Sequence, residues 1–289
     1  MIKKNRNAGK RRNSKGSKYL KSRKGKSPER QQSSLNAEEK DKTAAAKNIE
    51  KSDGLIRLNK YIADAGVCSR READTLIASG AIKVNGKVVS QVGTKVKVTD
   101  KVQYGDETLN REALMYILLN KPKDFITTTD DPQDRKTVMS LVKNACKERI
   151  YPVGRLDRNT TGLLLFTNDG DLSKRLLHPS HQIKKLYHAE LDKPLTKRDL
   201  QEIAQGVTLE DGKVQVNSVA HDSTTDDKKQ VGIEIHSGQN RVVRRIFEHF
   251  GYEVKKLDRV VFGPLTKKDL PRSRWRYLTD KEILMLKKF

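Results

Sequence analysis

The chain has 289 residues, 60 of them Lys or Arg against 37 Asp or Glu, for a formal charge of +23. That length holds about two domains of roughly 100–200 residues each, and a field of this sign draws polyanions, nucleic acid first and a membrane surface second. The longest apolar stretch, Ala113 to Leu119, falls far below the roughly 18 residues of a membrane span, so no transmembrane helix is expected.

The charge excess begins in residues 1–54, with 17 basic against 6 acidic residues, and leaves 43 against 31 in residues 55–289. The first segment is Lys- and Gly-rich and starts Met1-Ile2-Lys3-Lys4. It lacks the apolar centre of a secretory signal, and although basic and Ser-containing like an organellar transit peptide, its pattern is not amphipathic. A disordered arm over 1–54 that binds nucleic acid through its charge is the expectation. Cys68 and Cys146 stand far apart in no metal-ligand pattern, so neither a disulfide framework nor a zinc site is expected, in keeping with a reducing cytoplasm.

From Leu55 the pattern changes. Leu58, Tyr61, Ile62 and Ala65 recur at helical spacing before Gly66, and Ser69-Arg70-Arg71-Glu72 reads as a capping box that starts a second helix on Ala73, Leu76 and Ile77. Ile82-Lys83-Val84 and Lys87-Val88-Val89 flank Asn85-Gly86, the signal of a two-residue hairpin. Lys60, Arg70, Arg71, Lys83 and Lys87 occupy the polar positions among these signals, as a solvated face or as cations for RNA phosphate; Arg70 and Arg71 fall where free helix amides also favour an anion. The stretch RLNKYIADAGVCSRREADTLIASGAIKVNGKVV resembles the RNA-binding module named after small-ribosomal-subunit protein four. The resemblance implies a domain over 55–108 that binds structured RNA, with those five cations as its RNA-binding residues.

Val96/Val98 and Val102/Tyr104 alternate around Thr99-Asp100, which predicts one more hairpin before a connector to Ala113. Leu114 to Leu119 reads as a buried strand ending at Asn120-Lys121-Pro122, followed by a polar loop from Thr127 to Arg135. Tyr151 to Gly162 then sets Asp157 in a polar turn between Arg155 and Arg158, ahead of an apolar strand, Leu163 to Phe166. Such an Asp either bonds its own turn or is a reactive carboxylate kept ionised by guanidinium neighbours. A helix through Leu172, Leu176 and Leu177 follows. Farther on, Val243, Ile246, Phe247 and Phe250 make the apolar face of a helix whose other arc holds Arg241, Arg244, Arg245 and Glu248. The Ser237-Gly238-Gln239-Asn240 turn is expected to cap it.

GRLDRNTTGLLLFTNDGDLSKRLLHPS, Lys185-Leu186-Tyr187, GVTLEDG and SGQNRVVRRIFEHFGYEVKKLDRVVFGPL are similar to the signatures of ribosomal-RNA pseudouridine synthases. The branch is the one that holds the small-subunit enzyme together with the enzymes called B and F, which act on the large subunit, and the likeness is greatest to the B type. The resemblance implies an α+β architecture: the small domain, then a catalytic domain over 112–289 with a mixed, mainly antiparallel sheet flanked by helices. It implies Asp157 as the catalytic aspartate, Tyr187 as the tyrosine against the target base, and Arg244 as the basic partner of the carboxylate. Arg155 is expected to join them on the substrate, and Arg158, Asn240 and Arg241 to hold surrounding RNA.

The expected reaction turns one uridine of ribosomal RNA, in the large subunit, into pseudouridine, with Asp157 either attacking the anomeric carbon or removing the ribose 2′ proton. The six histidines repeat no ligand spacing and no Gly-rich phosphate loop is present, so no metal or cofactor is expected. A monomer acting on ribosomal RNA in the cytoplasm, away from membranes, completes the expectation. Two rivals stay open: a non-catalytic ribosome-binding or assembly factor, and a synthase acting on small-subunit or transfer RNA. Gln239 stands where the family commonly has a basic residue.

Overall fold

Two short helices and a small sheet come first in the computed structural model, which describes residues 54–289; the basic segment expected over 1–54 lies outside the described residues but for Gly54. Strand β1 (Leu55–Arg57) leads into α1 (Leu58–Asp64), which buries Leu58, Tyr61 and Ile62, and α2 (Arg70–Ala78) follows. The capping box is complete: Ser69 Oγ accepts from the Glu72 amide, and the Glu72 carboxylate accepts from the Ser69 amide at 2.7 Å. β2 (Ile82–Val84) and β3 (Lys87–Val89) form the antiparallel hairpin, with Asn85 and Gly86 at φ of 51° and 80°, the geometry for which Asn-Gly is favoured.

The second hairpin does not form. β4 (Lys95–Lys97) stays outside this sheet, while β5 (Val102–Tyr104) pairs with β2 and with β6 (Glu107–Thr108). β4 pairs instead with β1, and the Asp100 carboxylate accepts from the Lys97 amide at 2.7 Å and from Asn85 Nδ2 at 3.1 Å, tying the turn to the tip of the β2–β3 hairpin.

The remaining elements are β7 (Tyr116–Lys121), α3 (Met139–Val142), β8 (Tyr151–Pro152), β9 (Thr160–Thr167), α4 (Gly170–Leu177), β10 (Lys185–Leu191), α5 (Lys197–Ala204), β11 (Val207–Leu209), β12 (Gly212–Val214), β13 (Val216–His221), β14 (Gln230–Ile235), α6 (Val242–His249), β15 (Val254–Phe262), β16 (Leu265–Thr266), β17 (Trp275–Tyr277) and α7 (Asp280–Lys287). Nine strands make one sheet in the order β13-β14-β10-β15-β9-β7-β17, with β16 beside β15 and β8 beside β9. Every pairing is antiparallel except that of β9 with β15. This is the mixed, mainly antiparallel sheet with helices that was expected.

Both faces of its centre are covered. Along β7, Ile117 and Leu119 enter one apolar core and Tyr116 and Leu118 the other; β9 divides Leu164 and Phe166 from Leu163 and Leu165 in the same way. A strand buried on both faces reads as an unbroken apolar run, which is why alternation is absent from these two segments. β7 starts two residues later than expected and continues through Lys121, since Leu114 is exposed whereas Asn120 and Lys121 are buried with partners. At the parallel pairing Gly162 lies opposite Arg259 with φ of 107°, and a Cβ there would meet the Arg259 carbonyl oxygen at 2.3 Å. Only glycine lets β9 leave the Asp157 turn this close to β15. Among the described residues no helix is long and apolar enough to cross a membrane.

Candidate active site

The turn before β9 presents Asp157, and β10 brings Tyr187 toward it from the neighbouring part of the sheet. Both line a cavity of about 130 Å³, together with Arg155, Lys185, Arg241, Arg259, Leu257 and Phe262. Through Gly154–Asp157, Gly238, Gln239 and Arg241 the cavity is continuous with an outer groove of about 620 Å³, whose wall adds Arg158, Asn240 and the polar loop Ile126–Arg135. A small inner chamber opening on a larger polar groove suits one ring inside and a chain outside, because pockets for whole drug-sized ligands run to roughly 300–1,000 Å³.

The turn itself is fastened from below. Lys121 is fully buried, and its Nζ donates to the carbonyls of Pro122 (3.1 Å), Asp157 (3.0 Å), Arg158 (3.2 Å) and Thr160 (2.8 Å). The Thr160 amide closes back on the Asp157 carbonyl, Thr127 Oγ1 donates to the Leu156 carbonyl, and the Asp124 amide donates to that of Arg158. Burial lowers Lys121 to about 8. With its backbone held on three sides, the Asp157 side chain is left half-buried at the cavity wall.

The expected ion pair of Asp157 with Arg244 is not formed. Arg241 takes that place, Nη1 standing 3.8 Å from the carboxylate and Nη2 3.4 Å from Glu248. Arg241 precedes α6 in a left-handed conformation, φ 47°, and no side chain caps the helix, so the capping expected of Ser237 to Asn240 is absent too. Arg244, expected on the polar arc, is 8% exposed: its Nη1 donates to the Val254 carbonyl at 2.7 Å, while Nε and Nη2 are buried without a partner among the described residues. The β15 carbonyl draws this guanidinium inward, which is why helical periodicity put it on the wrong side. Burial and then the Arg241 charge hold Arg244 below its ordinary value, opposed by Asp157.

The residues expected to meet RNA divide. Arg155, Arg158, Asn240 and Arg241 line the groove, with Arg158 3.6 Å from Asp124. Lys60 and Arg70 instead line a separate cleft with Arg149 and Lys174, and Lys60 is occupied by Asp171 at 2.6 Å. Arg71 and Lys87 are exposed and Lys83 half-buried. Sequence reasoning passed over Lys121, Lys185 and Arg259. Nothing local marks Lys121, whose carbonyl partners lie as far as 39 residues away. For Lys185 a signal existed: it lies two residues before Tyr187 and therefore on the same face of a strand.

A carboxylate turn, a strand aromatic and buried cations around a chamber, behind a small basic module, describe an enzyme that acts on RNA, and comparison with known proteins agrees. Residues 115–249 match the family model for RNA pseudouridylate synthase, and residues 56–102 that for the S4 domain. The chain is 43% identical over 236 residues to the ribosomal large subunit pseudouridine synthase B of Bacillus subtilis strain 168, covering 81% of this chain and 96% of the relative. It is 37% identical over 237 residues to the dual-specificity RNA pseudouridine synthase RluF of Escherichia coli K12, covering 81% and 79%. A solved pseudouridylate synthase superposes with a TM-score of 0.58 at 29% identity, covering 80% of this chain and 99% of that one. The chain belongs to the RNA pseudouridine synthase family, whose members are isomerases.

Proposed function

We propose that this protein converts one uridine of large-subunit ribosomal RNA into pseudouridine, with Asp157 as the catalytic carboxylate and Tyr187 against the target base. The observation that carries it is the cavity that holds Asp157 and Tyr187 together at the end of a polar groove; the large-subunit substrate rests on the relative in Bacillus subtilis. A base inside folded RNA is turned out of its stack at a cost of a few kcal/mol, offset by stacking in the pocket. Asp157 then adds to the anomeric carbon, or takes the 2′ proton, as the bond from ribose to ring nitrogen breaks. The uracil turns over and its C5 joins the ribose as the Asp157 ester at C1′ breaks, or as Asp157 returns the 2′ proton to C2′; C5 then loses a proton and the ring nitrogen gains one. No net oxidation or transfer occurs, and the step proceeds without a cofactor.

Arg241 faces the carboxylate, while Arg155, Arg158 and Asn240 hold the strand on either side of the turned-out base. Arg244 steadies the site through the field it shares with Asp157. The domain over 55–108, through Lys60, Arg70, Arg71, Lys83 and Lys87, docks on structured RNA, and the domain over 112–289 carries the chemistry; the protein acts as a monomer in the cytoplasm. Mapping pseudouridines across ribosomal and transfer RNA with and without the gene tests this. One large-subunit position lost with the gene is the expected result; an unchanged map overturns it in favour of a binding factor, and a lost small-subunit or transfer-RNA position overturns the substrate.

A further inference from the structure

The cavity wall holds two cations that the steps above leave unused. Lys185 is 8% exposed and Arg259 3%. β10 carries Lys185 and Tyr187 on one buried face, and in the ladder with β15 Arg259 lies opposite Tyr187 and Phe262 opposite Lys185. Each cation is held by a backbone carbonyl: Lys185 Nζ donates to His236 at 2.6 Å, and Arg259 Nε to Leu163 at 2.9 Å. The guanidinium also lies over the Phe262 ring, 4.6 Å from its centroid. Its Nη2 is buried without a partner among the described residues, and the Asp157 carboxylate in the same wall is paired with Arg241.

Two cations buried side by side with no carboxylate between them are costly to desolvate. Burial, and then Arg259, lower Lys185 to about 8. Such a pair is built for an anion that arrives with the substrate. The proposed isomerisation makes one. When the bond between C1′ and N1 breaks, its electron pair leaves with the uracil, and the ring becomes an anion with charge spread over its nitrogens and two carbonyl oxygens.

We propose that Lys185 and Arg259 hold the detached uracil as its anion, donating hydrogen bonds to its carbonyl oxygens while the ring turns over, a role that rests on the uridine isomerisation proposed above. The ribose is meanwhile kept by Asp157, either as an ester at C1′ or by custody of the 2′ proton. Attack of C5 on C1′ then uses the ring's electron pair and frees the carboxylate, either by breaking the C1′ ester or by return of the 2′ proton from Asp157 to C2′, and the proton lost from C5 balances the one gained at N1. No co-reactant enters. Donors fixed in this way also favour uracil over cytosine, whose amino group would oppose them in place of one carbonyl oxygen.

The test uses the full chain and an RNA fragment spanning the mapped uridine, in single-turnover reactions at saturating enzyme. Lys185→Met should slow pseudouridine formation about 100-fold, the usual effect of removing one donor from a developing anion. RNA affinity should stay within about twofold, and Lys185→Arg should recover much of the rate. On the same RNA carrying 5-fluorouridine at the target, whose base is the more acidic leaving group, the deficit in consumption of that nucleoside should shrink to about tenfold or less, because a better leaving group needs less stabilisation. A deficit equal on the two RNAs, or a Lys185→Met rate within about threefold of wild type, overturns the proposal. Should that variant fail to fold by thermal melting, Arg259→Gln repeats the comparison with the same two outcomes. Wild-type protein that forms no pseudouridine in any RNA overturns the proposed function itself, a result distinct from an active wild type with an indifferent Lys185.

Discussion

Exposed Arg71 and Lys87 of the small N-terminal module contrast with a set of buried cations at and near the Asp157 cavity. On the module Arg71 and Lys87 stand in solvent. Around the cavity Lys121, Lys185, Arg244 and Arg259 are each at most 8% exposed and bonded to backbone carbonyls. A solvated cation gains affinity for RNA by releasing counterions, one phosphate at a time and without regard to sequence. A buried cation is expensive, so it persists only where carbonyls hold it, and in doing so it fixes the geometry of whatever chain supplies them. Under the proposed function, the first arrangement suits recruitment of RNA and the second suits the shaping of a site.

The sharpest way to break this contrast is at the carboxylate. Asp157→Asn should lower pseudouridine formation at least about a thousandfold, read by mass spectrometry of digested RNA, while filter binding finds affinity nearly unchanged. A comparable loss of affinity would make Asp157 a binding residue. Next comes the anchor beneath it. Lys121→Met leaves four carbonyls without their shared donor and should cost about 3 kcal/mol in urea unfolding; a change below about 1 kcal/mol would mean that the turn stands without its ammonium.

A smaller effect is expected at α7, where Glu282 caps the helix and accepts from both terminal nitrogens of Arg276 at 2.8 and 2.7 Å. The Arg276 bonds hold this carboxyl down at about 2 against an ordinary 4.5. Its contribution is therefore complete above pH 4.5 and lost as pH falls toward 2. Glu282→Gln should destabilise the fold by about 1 kcal/mol at pH 7, after solvent screening, and the gap from wild type should narrow below pH 4.5. A gap constant down to pH 3 would assign the effect to packing. The least effect belongs to the module: Arg71→Ala with Lys87→Ala should weaken RNA binding a few-fold and reduce the salt slope by about 2, leaving the single-turnover rate at saturation as it was. A rate that falls with them would place those cations in the site.

Much of this was legible in residue order. The Ser69–Glu72 box, the Asn85-Gly86 turn and the paired runs of β7 and β9 follow from rules spanning a few residues, and the family signatures singled out Asp157 and Tyr187. Two of the expectations that failed share a reason. The strand before Asp100 paired with β1 while Asp100 itself bonded Asn85 at the β2–β3 tip, and Arg244 turned toward a carbonyl of β15 instead of solvent. In both cases a polar group met a partner that chain order does not announce.

The sequence by itself determined a basic chain and some of its elements, among them the Ser69-capped helix, the Asn85-Gly86 hairpin and the buried runs of β7 and β9, because propensity, capping and periodicity act between neighbours. Only the tertiary structure decided which cations lie inside. Whether a Lys or Arg is solvated or buried depends on a carbonyl being within reach at the moment water is excluded, and for Lys121, Lys185, Arg244 and Arg259 those carbonyls come from the ends of other strands and turns.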